Sequence, residues 1–249
     1  MNLEQPCIRI SVRNLVEFIL RHGDIDNRTG GADKDAMQQG SRIHRKIQRQ
    51  QGAEYRAEVP LRYQIPCDGF ILSVEGRADG IIELPKRVVI DEIKGMYTDI
   101  SRLEEPIEVH LAQAMCYGYF YCCDKDLDGI RLQMTYCNLE TEEIKRFQTD
   151  RSREELETWF SGVVHEYFKW ARYLYHHELT RDASIGHLEF PFPYRAGQRD
   201  LVVSVYRTVS RKKRLFIQAP TGIGKTLSTV FPAVRAIGEG KGDKLFYLT

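Results

Sequence analysis

The chain predicts an α/β fold: a mixed central sheet flanked by helices, followed by a segment built around a glycine-rich loop. Three observations predict it. Alternating, β-branched stretches between Tyr55 and Ile93 read as a meander of strands. A helical stretch, Glu108–Tyr121, then crosses to a further strand at Ile130–Cys137. Nearer the C-terminus the apolar segment Leu215–Gln218 runs into a glycine-bearing loop and another helix.

Ile10–Gly23 carries a helical stripe of Leu15, Phe18 and Ile19, with Ser11 as N-cap and Gly23 as stop. The polar, glycine-bearing Asp24–Asp35 reads as a loop. Met37–Gln51 reads as a helix turning Ile43 and Ile47 to the core, with His44 beside that stripe. Arg42, Arg45, Lys46 and Arg49 cover the rest of it. Taken alone, the histidine reads as a surface residue and the basic residues as a solvated face. Tyr55–Tyr63, Cys67–Val74, Ile81–Leu84 and Val88–Ile93 are the expected strands, the last two joined by a turn at Pro85-Lys86. The Glu108–Tyr121 helix has Leu111, Met115 and Tyr119 inward. Gln113 and Tyr117, four apart, share one face. Ile130–Cys137 and Glu143–Phe147 are strands around an Asn138–Glu142 turn. Glu154–Tyr175 is an amphipathic helix carrying Leu156, Phe160, Val164, Phe168 and Ala171.

Asp182–Pro193 has two prolines and no periodicity, so the domain reading is 1–182, a linker over 183–193, and a second unit over 194–249. In that unit Gly197–Val209 reads as a helix, Leu215–Gln218 and Lys244–Leu248 as strands, and the unit as a mobile or loosely docked tail.

With 249 residues, 42% hydrophobic and 29% charged, the composition is that of an ordinary soluble globular protein. A net charge of +1 leaves any nucleic-acid site to local patches. No apolar run suits a membrane span, and the N-terminus lacks a signal-peptide layout. The expected location is the cytoplasm, where the six cysteines would be reduced.

Gly76–Lys94 carries the chemistry. Side chains alternate along a strand, so Glu92 and Lys94 share a face while Ile93 points to the other layer. Pairing the neighbouring strand brings Asp79 close to both. Two carboxylates and a lysine on one sheet face are costly unless a cation joins them. A divalent ion there would turn a bound water into a nucleophile, and a lysine beside it would stabilise charge on a phosphate.

Four ordered segments strengthen this reading: Gly40-Ser-Arg-Ile-His44, Gly76-Arg-Ala-Asp79-Gly-Ile, Asp91-Glu92-Ile-Lys94 and Gln113-Ala-Met-Cys-Tyr117. Over residues 10–180 the chain resembles the PD-(D/E)XK nuclease superfamily, in its RecB-like branch that includes CRISPR-associated exonucleases. The superfamily's proline is Ala78 here. The resemblance implies a restriction-endonuclease-like core. It also implies that His44, Asp79, Glu92 and the carbonyl of Ile93 hold Mg²⁺ or Mn²⁺. Lys94 would orient or activate the attacking water, and Gln113 and Tyr117 would position DNA. Many members of the branch carry an iron–sulfur cluster on four cysteines. Cys7, Cys67, Cys116, Cys122, Cys123 and Cys137 contain no C-x-x-C, so none is expected here.

Ala219-Pro-Thr221-Gly222-Ile-Gly224-Lys225-Thr226 is a Walker A loop, with backbone N–H groups for phosphates, Lys225 for the β- and γ-phosphates and Thr226 for Mg²⁺. Tyr194-Arg195-Ala-Gly-Gln198 resembles the adenine-reading segment of superfamily 2 helicases. Together they are similar to the XPD/DinG-like DNA helicases, which implies ATP as cofactor of the whole protein. No acidic Walker B strand follows, so the expectation is a truncated RecA-like motor that does not hydrolyse ATP alone. The combined expectation is the N-terminal part of a helicase–nuclease in DNA repair or processing. Its partners would be single-stranded DNA or DNA ends and the remaining helicase chain. A catalytically idle DNA-binding or docking module is the alternative.

Overall fold

The computed structural model describes residues 5–21 and 34–248, with side chains in the second stretch from Gln38 onward. The helix stop expected at Gly23 and most of the loop expected over Asp24–Asp35 lie outside them. The chain divides into two compact units, Met1–Ala171 and Arg172–Thr249. Among the described residues no helix is long and apolar enough to cross a membrane.

The first unit is a six-stranded mixed sheet with helices. Its strands are β1 (Cys7–Ser11), β2 (Tyr55–Pro66), β3 (Ile71–Leu84), β4 (Arg87–Met96), β5 (Gly129–Asn138) and β6 (Ile144–Ser152). The expected strands Cys67–Val74 and Ile81–Leu84 are one strand, β3. Cys67–Phe70 is instead the hairpin connection, closed by Cys67 N–H to Phe70 C=O at 2.9 Å, with Gly69 at φ 86°. Only glycine takes that angle without strain.

The long β3 organises the sheet. β2 lies antiparallel along one edge from Ile71 to Ile82. The other edge is shared: β1 pairs parallel with Ile71–Glu75, and β4 pairs antiparallel with Gly80–Leu84. Between Glu75 and Gly80 no strand among the described residues pairs on that edge. β4 continues past Asp91 to Met96, where among the described residues β5, in parallel, is the one strand paired with it. The two strands therefore part into a fork, with Gly76–Asp79 on one arm and Glu92–Met96 on the other.

Helices pack around this fork. α1 (Val12–Leu20) starts at Ser11, whose Oγ accepts the Asn14 N–H at 3.1 Å. Its buried face is Val12, Leu15 and Val16. Phe18, expected inside, is 54% exposed and lies edge-on to Tyr167 and Trp170. α2 (Lys34–Arg49) seats Ile43 and Ile47 against Ile93, Cys137 and Leu139. α3 (Glu108–Lys125) lies against β4, β5 and α1 and is buried on almost every side. A single inward stripe does not describe such a helix, so Leu111 and Met115 are only half-buried. α4 (Arg153–Gly186) is longer than expected and buries Val163 and Tyr167 rather than Val164 and Phe168. The rings of Tyr63, Tyr119, Phe120 and Phe160 join β2, α3 and α4 with centroids 5.0–6.3 Å apart.

The second unit contains α5 (Gln198–Ser210) and α6 (Lys225–Gly238), which bury Val202, Val205, Ala233 and Ala236. Leu215–Gln218 and Lys244–Leu248, expected as strands, are not strands. Their apolar composition favours extended chain, but a strand exists only with a hydrogen-bonded neighbour, and none among the described residues pairs with them. Phe216 is 94% exposed and Leu248 91%. Amides of Leu215–Gln218 are expected to exchange with deuterium as fast as a free peptide while those of α5 stay protected. Matching protection in both would show a ladder that this structure lacks.

Candidate active site

Past the last β3–β4 pair, Gly80 with Asp91, the strands separate and a backbone N–H on β4 loses its partner. Asp79 takes that place: its Oδ2 accepts the Ile93 N–H at 2.7 Å. In extended chain the N–H and C=O of one residue leave on the same edge, so the Ile93 carbonyl also faces the fork. Asp79 Oδ1 lies 3.4 Å from His44 Nδ1. One turn further along α2, Gln48 Nε2 donates to the Asp79 backbone carbonyl at 2.9 Å. The sequence reading named His44 and missed Gln48. The i, i+4 spacing of the two beside the Ile43/Ile47 stripe is the signal that pairs them.

Glu92 is 3% exposed. Its Oε1 accepts from Lys94 Nζ at 2.7 Å, and its Oε2 has no hydrogen-bond partner. Burial pushes its pKa up to about 7, Lys94 pulling it down and Asp79 raising it. His44 is held above its ordinary value: burial opposes the charge, but the hydrogen bond and charge of Asp79 outweigh it. Lys94 also donates to Gln113 Oε1 at 2.8 Å. The α3 face that carries Gln113 thus fixes the ammonium group. Tyr117, one turn on, is buried beside β3, where burial pushes its hydroxyl pKa up and the backbone of Arg77 pulls it down. It occupies the space above Gly76, where a Cβ would come within 2.6 Å of its hydroxyl. Both residues therefore brace the fork, whatever they do to a ligand.

All the residues expected at this centre meet in one neighbourhood: His44, Asp79, Glu92, Ile93, Lys94, Gln113 and Tyr117. Their charges are already partly matched, Asp79 by His44 and Ile93 N–H, Glu92 by Lys94. Among the described residues no group of three or more His, Cys, Asp or Glu side chains is arranged to hold a metal ion. The donor chemistry nonetheless fits one. Carboxylate oxygens, a carbonyl and an imidazole suit Mg²⁺ or Mn²⁺, and the buried, unpartnered Glu92 Oε2 is an acceptor awaiting a cation or a proton. The basic residues of α2 are less available than composition suggests, since Arg42 and Lys46 both pair with Glu142. A cleft of about 520 Å³ opens beside the centre, lined by His44, Lys94, Gln113, His110, Arg13 and Arg21 among others.

In the second unit, Gln198 is buried and its Oε1 accepts the Arg195 N–H at 3.0 Å. Its amide leaves no room for a side chain on Gly224, where a Cβ would lie 2.6 Å from Nε2. Gly222 and Gly224 take φ of 90° and 82°. Lys225 Nζ folds back onto the carbonyls of Ala219 and Pro220 at 3.2 and 3.1 Å. Thr226 Oγ1 accepts from the Tyr247 hydroxyl at 3.2 Å, and Thr221 is exposed.

No protein-family profile matches the chain. A stretch of 52 residues, 20% of the chain, is 36% identical to the probable ATP-dependent helicase MJ0942 of Methanocaldococcus jannaschii. That stretch is 8% of the relative, so the chain spans only a small part of it. Among solved structures, SSO0001 aligns with a TM-score of 0.43 and 17% identity over 66% of this chain and 78% of its own. An alkaline exonuclease from Laribacter hongkongensis aligns with a TM-score of 0.38 and 16% identity over 69% of this chain and 94% of its own. Likenesses this partial bear on neither mechanism nor substrate.

Proposed function

We propose that the first unit is a divalent-metal-dependent DNA nuclease that hydrolyses phosphodiesters, taking single strands or ends. The observation that carries this reading is the fork: a nearly buried glutamate with one oxygen unpartnered, sharing a lysine with Gln113, beside an Asp79–His44 pair. Asp79, Glu92, His44 and the Ile93 carbonyl would hold Mg²⁺ or Mn²⁺, which when bound supplies an activated water and neutralises phosphate charge. Binding competes with the His44–Asp79 contact. Glu92 and Gln113 hold the Lys94 ammonium in a fixed place, where it orients the attacking water or stabilises charge on the phosphate. Asp79 keeps the Ile93 peptide aimed into the fork, and Gln48 and Tyr117 hold the other arm.

The second unit is read as the phosphate-binding segment of a helicase, with Gln198 on the adenine and Thr221, Gly222, Gly224, Lys225 and Thr226 around phosphates and Mg²⁺. Lys225 and Thr226 must release their present partners to do so. ATP-driven unwinding in DNA repair or processing belongs to the longer protein that this reading supposes.

The test is labelled single-stranded and duplex DNA with Mn²⁺ or Mg²⁺, comparing wild type with Lys94→Ala. Wild type is expected to cleave at least about 10²-fold faster than the variant. Mn²⁺ at about a hundred times its Kd should also stabilise wild type by about 2.7 kcal/mol. That rise in melting temperature can be read without any cleavage. The matched charges of the centre favour a second reading, an idle DNA-binding module. DNA binding with no cleavage and no Mn²⁺-dependent stabilisation would establish that instead.

A further inference from the structure

His110 lies in the first turn of α3 and lines the cleft beside Lys94 and Gln113, yet the centre described above gives it no role. Its protonation is settled by a chain of hydrogen bonds behind it. Tyr136 is completely buried on β5, and its Oη accepts the Ile107 N–H at 2.9 Å. A buried hydroxyl proton needs an acceptor, and among the described residues the remaining partner of Tyr136 Oη is His110 Nδ1 at 3.4 Å. Tyr136 therefore donates, Nδ1 accepts, and the ring proton sits on Nε2. Nε2 has no partner among the described residues.

We propose that His110 is a substrate-binding residue whose neutral Nε2–H donates to a non-bridging phosphate oxygen of the nucleic-acid strand in the cleft. This rests on the nuclease reading for the identity of the ligand. The cleft suits an anion: Lys94, Arg13 and Arg21 line it, with Glu17 the one acidic lining residue among those described and already paired to Arg13 at 2.8 Å. Burial first, and then the charge of Lys94, hold the His110 pKa down to about 4, so the ring stays uncharged at neutral pH. His110 thus adds a directed donor to the cleft without another positive charge next to the lysine.

The roles of the two nitrogens separate by substitution. Glutamine places an N–H near the position of Nε2, whereas asparagine reaches only as far as Nδ1. Binding of a 5′-labelled oligothymidylate is measured by fluorescence anisotropy in Ca²⁺ and in EDTA, with kcat/KM in Mn²⁺ measured alongside. His110→Ala and His110→Asn are expected to weaken binding about tenfold, the size of one hydrogen bond to a charged group. His110→Gln should stay within about threefold of wild type, by the same reasoning. The dependence of log Kd on log salt should keep its slope in all variants, because no charged phosphate contact is removed. Rescue by asparagine and not glutamine would make His110 only a brace for Tyr136 and overturn the proposal. Unchanged binding in all three variants, or no oligonucleotide binding by wild type, would overturn it too. A salt slope smaller by about one in His110→Ala would show an ionic contact and overturn the neutral-donor assignment. If the expected binding pattern appears in a wild type that never cleaves, the nuclease reading falls and the phosphate contact stands.

Discussion

Glu92→Gln is expected to abolish cleavage and, at pH 8, to make the protein more stable. The two effects share a cause. Glu92 is almost fully buried with Oε2 unpartnered, and burial raises its pKa to about 7 despite Lys94. A carboxyl whose folded pKa lies above its unfolded one folds more favourably protonated. Below the unfolded value the group is neutral in both states and costs nothing. The penalty grows as pH rises from the unfolded value, 4.5, towards about 7, and above that it is constant. Glutamine keeps the shape and a carbonyl for Lys94 but cannot ionise. The variant's advantage should be near zero at pH 4.5 and reach on the order of 1–3 kcal/mol at pH 8. Thermal melts at the two pH values read this directly. Cleavage should fall at least about 10²-fold, because the neutral amide can neither hold the cation firmly nor balance Lys94. Mn²⁺ should stabilise wild type and not the variant, closing the gap between them. If Glu92→Gln melts lower than wild type at pH 8, the Lys94 ion pair outweighs burial and the site is not under strain.

Asp79, Glu92 and Lys94 were legible in the sequence because strand alternation and a two-residue turn fix which side chains share a face. His44 was legible only with its neighbours, since a lone histidine beside an apolar stripe reads as surface. The fork itself was not legible. Gly76 and Gly80 look like punctuation between two strands, so β3 was split at the place where it runs through without a break. The reason for those glycines lies across the sheet, in rings that approach too closely for a Cβ. Gln48 offered only its i, i+4 spacing from His44, because its contact is to a backbone carbonyl 31 positions away. In the second unit the error ran the other way. Leu215–Gln218 has strand composition, but composition records preference and not the presence of a partner strand.

Gly80→Val is expected to be among the most damaging single changes to the first unit, although Gly80 contributes no side chain to the centre. A Cβ on Gly80 would lie 2.0 Å from the Tyr55 ring. Tyr55 is half-buried, so its ring can swing outward, but its hydroxyl is then lost to Asp91 Oδ2, which it reaches at 3.2 Å. Asp91 is completely buried on the face of β4 opposite Glu92, and its other oxygen accepts from Thr135 at 2.6 Å and Gln133 at 3.0 Å. An unpartnered oxygen there costs about 1–3 kcal/mol, and disturbed packing about as much again. The gain from valine's strand preference is at most about 1 kcal/mol, leaving a net loss of roughly 1–5 kcal/mol. Tyr55→Phe removes only the hydroxyl and should cost about 1–2 kcal/mol. The two sites should be strongly non-additive: once Tyr55 is alanine, the ring atoms nearest a Cβ at position 80 are gone and the further cost of valine should be smaller. The same hydrogen bond ties function to this rear face. Gly80 adjoins Asp79 and pairs with Asp91, which adjoins Glu92. Releasing Tyr55 loosens the last rung before the fork, so Gly80→Val should lose cleavage at temperatures where circular dichroism still reports a folded sheet. Cleavage surviving up to the melting transition would show that the fork is held by its own contacts and not by the Tyr55–Asp91 bond behind it.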